Sequence, residues 1–127
     1  MNLEKVVFAF FIVLALTLNF GFYVGEIDNP IHHNVYELYA ALVVSLIATA
    51  LKLGDRTHLG AVLLATSLVA DLQLIAAALV WAFADHISST GMTPHIMTAI
   101  VSLSGGAVLA NITSVVLLVA ETIAIRR

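Results

Sequence analysis

A single aspartate, Asp71, lies in the middle of the apolar run LVADLQLIAA, and its placement is the strongest chemical signal in the chain. If that run crosses a bilayer, a carboxylate at its centre costs about 2.5–3.5 kcal/mol on insertion scales. A group that costs so much is by default a functional one, and carboxylate rings commonly line cation paths. At about 100° per residue, Asp71 shares a helix face with Gly60, Ser67, Ala78 and, more loosely, Asp85. Gln73 points to nearly the opposite face, beside Thr66, Ala70 and Ala77, so this segment has two faces unsuited to lipid. Farther along, Ser104, Ala107, Asn111 and Ser114 form one stripe, with Gly106, Ala110 and Thr113 beside it. Small residues at these intervals allow close helix approach, and their hydroxyl and amide groups can bond across the gap. Asn111 is the natural partner for Asp71, either to coordinate an ion with it or to satisfy its oxygens. Asn19 shares a face with Ala15, Phe22 and Glu26 and either packs or lines a vestibule. The competing expectation is purely structural: Asp71, protonated or bonded to Asn111 or a serine, fixes how the helices pack.

A second group combines imidazoles and carboxylates: Glu26, Asp28, His32, His33, Glu37, Asp85, His86 and His95. These are competent ligands for Zn, Mn, Fe or Cu, but adjacent His32-His33 and the distant pair His86 and His95 match no zinc spacing. Milder roles are cation enrichment at a pore mouth by Glu26, Asp28, Glu37 and Asp85, and pH sensing by the histidines. No two histidines sit at matched depth to hold a haem. The absence of cysteine excludes disulfides and thiolate metal sites. Tyr23, Tyr36, Tyr39 and Trp81 fall where an aromatic interfacial belt would, and Phe8, Phe10 and Phe11 are expected to face lipid. No nucleophile is paired with a base and no glycine loop suits a phosphate, so an enzyme is not expected.

The elements that must position these residues follow from composition. Of 127 residues 61% are hydrophobic and 10% charged, against about 45–50% and about 25% in soluble domains. The mean hydropathy is +1.07. A chain this short and apolar is a polytopic membrane protein, with no room for an extramembrane catalytic domain. Four apolar stretches, 6–25, 35–53, 59–84 and 95–125, are each long enough to span, and together they make one all-α transmembrane domain. Pro30 secures a loop in the first break. In the second, Gly54 is a terminator and Asp55 or Thr57 an N-cap, which predicts a helical hairpin. The last stretch exceeds one span and must tilt, project from the membrane, or bend at Gly105-Gly106. Lys5, Lys52, Arg56, Arg126 and Arg127 all fall at alternate ends, which places both termini in the cytoplasm. The first apolar run is too long for a signal peptide and is expected to be retained.

The segments 2–11 (NLEKVVFAFF), 28–57 (DNPIHHNVYELYAALVVSLIATALKLGDRT) and 68–77 (LVADLQLIAA) resemble a family of short bacterial inner-membrane proteins. The resemblance covers most of the chain and implies a multi-pass location in the bacterial inner membrane. It carries no activity, substrate or binding residue.

These observations predict a homo-oligomeric cation channel with no resident cofactor. Its cation, monovalent or divalent, would be the transported ion, and its partners the lipid bilayer and further copies of itself, with no nucleic acid. The path would involve Asp71, Ser67, Asn111, Gln73 and Asn19, with one polar face of the third helix at the symmetry axis. The alternatives are a non-conducting accessory or scaffold subunit of a transport complex, and a metal- or haem-binding protein using His32, His33, His86 and His95.

Overall fold

The computed structural model describes residues 3–126, with side chains through 124. Arg127, one of the basic residues behind the expected orientation, lies outside the described residues, as does the side chain of Arg126. Four helices follow one another: α1 (Leu3–Tyr23), α2 (Val35–Lys52), α3 (His58–His86) and α4 (Pro94–Arg126), with a single 3-10 turn at Pro30–His32. All four are long and apolar enough to cross a membrane. The shortest, α2, has 18 residues. At about 1.5 Å per residue it reaches about 27 Å, close to the roughly 30 Å hydrocarbon core.

Local chemistry sets the boundaries. Asn34 caps α2 by accepting the Tyr36 N–H at 2.8 Å. Thr57 caps α3 by accepting the Gly60 N–H at 2.9 Å, and its hydroxyl donates to Asp55 Oδ1 at 2.7 Å. The four-helix chain runs up, down, up and down, and each helix packs on the next, with α4 closing back onto α1. The α3/α4 contact is the most extensive. Lys5 and Glu121 pair at 3.5 Å, which brings the start of α1 and the end of α4 to one end of the bundle, here called the terminal end. The 24–34 connection and the α3–α4 loop occupy the opposite, distal end. α4 is one unbroken helix of 33 residues through Gly105 and Gly106, so no interruption falls at those glycines. They serve close approach instead. A Cβ on Gly105 would meet the Tyr23 ring, and one on Gly106 would meet the Gln73 amide.

The core is in two parts. The distal cluster centres on Phe22, Leu38, Leu74, Trp81, Met97 and Ile100, and the terminal cluster on Phe8, Ile12, Ala48 and Leu63. Two expectations are corrected here. Phe8 is buried, beneath the Lys52 ammonium 4.3 Å from its ring centre, rather than lipid-facing. Trp81 is also a core residue. Its ring packs 6.0 Å from that of Phe22 while its N–H donates to Asp85 at 2.8 Å.

Asp55 accepts from the backbone N–H and the hydroxyl of Thr57, and Lys52 lies nearby, which together hold its carboxyl below the usual carboxylate range. A depressed carboxyl stabilises the turn above its unfolded titration range, and that contribution disappears as pH falls through the folded one. Amide protection at Thr57 and Gly60 should therefore fall on acidification. Thr57→Ala should remove the cap at a cost of about 1 kcal/mol, measured by reversible unfolding in detergent.

Candidate functional site

Between the two apolar clusters, the helices contribute small or polar buried residues: Ala15 from α1, Ser45 from α2, Ser67 from α3 and Asn111 from α4. Thr49 and Asp71 lie one turn from Ser45 and Ser67. The bundle thus carries a polar layer across its middle, closed on both sides by aliphatic and aromatic side chains.

Asp71 is the centre of this layer and only 5% exposed. Ser45 Oγ donates to its Oδ1 at 2.6 Å and Thr49 Oγ1 to its Oδ2 at 2.5 Å. Both donors come from α2, one turn apart on the same face, as the i, i+4 spacing of a helix requires. Among the described residues no Lys, Arg or His forms an ion pair with Asp71. The carboxylate is solvated by hydroxyls alone.

Asn111 is not its partner, contrary to the sequence expectation, because Asp71 turns toward α2 rather than α4. Asn111 is fully buried, and neither its amide oxygen nor its amide nitrogen has a hydrogen-bond partner. Ser67 Oγ, on the Asp71 stripe, is buried and unpartnered as well. Register places these groups at one depth. Thr66 bonds Ser114 at 2.6 Å and Gln73 covers Gly106, so the stretch of α4 containing Asn111 lies beside the stretch of α3 containing Ser67 and Asp71. A buried polar group without a partner costs about 1–3 kcal/mol, so the unmade bonds of Ser67 and Asn111 are a cost this layer carries.

The remaining predicted residues are accounted for separately. Asn19 accepts from Ser104 Oγ at 2.6 Å across the α1/α4 contact, and its amide nitrogen has no partner. Gln73 lies against Gly106 of the same chain. Polar groups on both faces of α3 thus meet neighbours inside the protomer, one face against α2 and one against α4. Glu37 lies over Gly21, and Asp85 is exposed where it accepts from Trp81. Glu26 and Asp28 are exposed in the first loop. The structure does not assemble His32, His33, His86 and His95: no group of three or more His, Asp or Glu side chains suited to a metal occurs among the described residues. His86 and His95 are exposed, whereas the His32 ring bonds the loop that carries it and the His33 ring bonds both that loop and the end of α1.

Ser45 and Thr49 are the residues that sequence reasoning missed. Their spacing on α2 was the available signal, but hydroxyls are common in apolar helices, and only the packing partner distinguishes these two.

An all-helical bundle whose four helices can each span a membrane, with a carboxylate buried at its centre, defines a multi-pass membrane protein with an interior polar site. Residues 32–122 match the model of a family of unknown function, DUF6394, and the chain belongs to that family. No curated protein and no solved structure matches the chain.

The hydroxyl donors generate a prediction. Thr49→Val should destabilise the bundle by about 1–2 kcal/mol, measured by reversible unfolding in a bilayer mimetic. In combination with Asp71→Asn the loss should be less than the sum of the two, because both changes break one network.

Proposed function

We propose that this protein binds a cation inside the membrane and passes it across, with Asp71 as the group that takes the charge. The observation that supports this most directly is a mid-span carboxylate with no basic partner among the described residues, in a layer where Ser67 and Asn111 still have unmade hydrogen bonds. A proton or a dehydrated metal cation would neutralise Asp71, while hydroxyl and amide oxygens replace the lost hydration. The path would run through each protomer rather than between protomers. The apolar clusters on either side make the site an occluded one, so passage requires them to part alternately or together. The lysine and arginine distribution favours a cytoplasmic location for both termini, in a bacterial inner membrane, and the exposed Leu68, Leu72, Leu79 and Leu109 suit lipid or a second copy of the chain.

One observation favours a different reading. Both oxygens of Asp71 are already bonded within the chain, which is what a packing determinant in a non-conducting accessory subunit would show. Bulky substitutions at Gly105 and Gly106 would not test a docking face, since these residues meet Tyr23 and Gln73 of the same chain.

The discriminating experiment is cation flux into liposomes. Wild-type protein and Asp71→Asn are compared at matched density for protons, potassium, sodium and calcium. Flux in wild type that is lost or changes ion preference in Asp71→Asn is the expected outcome. No flux of any of these ions from a folded wild-type protein would overturn the transport reading and leave the accessory subunit.

A further inference from the structure

His33 is 3% exposed, in the loop between α1 and α2, and both of its ring nitrogens point at backbone carbonyl oxygens. Nδ1 lies 2.5 Å from the oxygen of Phe22, and Nε2 lies 2.7 Å from that of Glu26. A carbonyl only accepts, and a neutral imidazole has only one N–H. In the neutral ring one lone pair would face an oxygen lone pair at hydrogen-bond distance. With a second proton, both contacts become charge-assisted donations, which run shorter than neutral ones. The site also favours a cation through its position, since Phe22 belongs to the last turn of α1, where unpaired carbonyls carry the negative end of the helix dipole. The Phe22 ring lies 5.5 Å from the buried imidazole.

His32, the adjacent residue, has the opposite requirement. Its Nδ1 accepts the Glu26 N–H at 2.9 Å and must keep its lone pair. Gly25 makes this geometry possible, with φ at +111° and no side chain where the His32 Cβ packs. The tandem histidines thus hold the turn after α1 between them: the His33 ring faces the carbonyl oxygens of Phe22 and Glu26, and His32 accepts the Glu26 N–H through a free lone pair.

We infer that His33 is a proton-binding site that clasps the distal end of α1 to the start of α2 when it is an imidazolium. The other carboxylates at this end are Glu26, Asp28, Glu37 and Asp85, and among the described residues none forms an ion pair with His33. Glu26 meets it only through its backbone oxygen. The remaining imidazoles at this end, His86 at the end of α3 and His95 at the start of α4, are exposed. The clasp is complete while His33 holds both protons and loses one bond as pH rises and the ring gives up a proton. It is independent of whether Asp71 carries a cation.

The test is nitrogen NMR of the full chain in lipid nanodiscs, with labelled histidine, between about pH 6 and about pH 8.5. At the lower pH both ring nitrogens of His33 should carry protons while His32 Nδ1 carries none. Across the range, protection of the amides in residues 24–34, corrected for intrinsic exchange, should fall about tenfold. His33→Phe keeps a ring but donates nothing, and should show the low protection at both pH values. A His33 ring with a single proton at about pH 6 would overturn the inference, and because that readout comes from the wild-type protein it stands even if the variant does not fold.

Discussion

In hydrocarbon a carboxylate has only the protein to solvate it, and the solvation of Asp71 by Ser45 and Thr49 is the contact on which the arrangement of this bundle depends. Apolar side chains do little to choose between helix registers in a membrane, because lipid and protein offer them nearly equal surroundings. A pair of hydroxyls one turn apart is different, since sliding α2 against α3 by a turn would strand the carboxylate. The same layer divides the core into a distal cluster around Phe22 and Trp81 and a terminal cluster around Phe8 and Leu63. It is also where Asn111 and Ser67 are left unpartnered.

Much of the architecture was legible because membrane helices declare themselves by length and polarity. The four spans, the Thr57 cap and the enclosure of α3 all follow from patterns along one chain. Asp71 announced itself by cost alone. What could not be read was direction across the bundle. The stripe through Ser67 and Asp71 was visible, but nothing in one sequence says whether it faces α2, α4 or a second copy, and the pairing with Asn111 failed for that reason. Phe8 and Trp81 were misread because both lie near span ends, where aromatic residues commonly meet the interface. Here each fills space between helices, and Trp81 still finds its polar partner one turn on, in Asp85.

The α3/α4 contact shows how close approach and polarity are combined. Gly106 admits the Gln73 amide, Thr66 and Ser114 share a hydrogen bond, and the intervening turns bring Asn111 to the level of Ser67. The most extensive helix pair is therefore also the one that brings unsatisfied groups into the interior. On the α1 side, Ser104 and Asn19 bridge in the same manner and leave one amide nitrogen unused. Polar side chains hold neighbouring helices together in pairs, while unused donors and acceptors remain on Asn19, Ser67, Gln73 and Asn111.

The hydroxyl cradle around Asp71 has a consequence for how the chain reaches the bilayer. During synthesis α3 alone would present a bare carboxylate to lipid, whereas α2 and α3, joined by a five-residue turn at 53–57, can present it already bonded. Insertion of the two as a hairpin lowers the barrier that a single-file passage would meet at Asp71. The short turn with its Asp55 and Thr57 bonds keeps the two helices adjacent, so the carboxylate has its donors at hand within one hairpin.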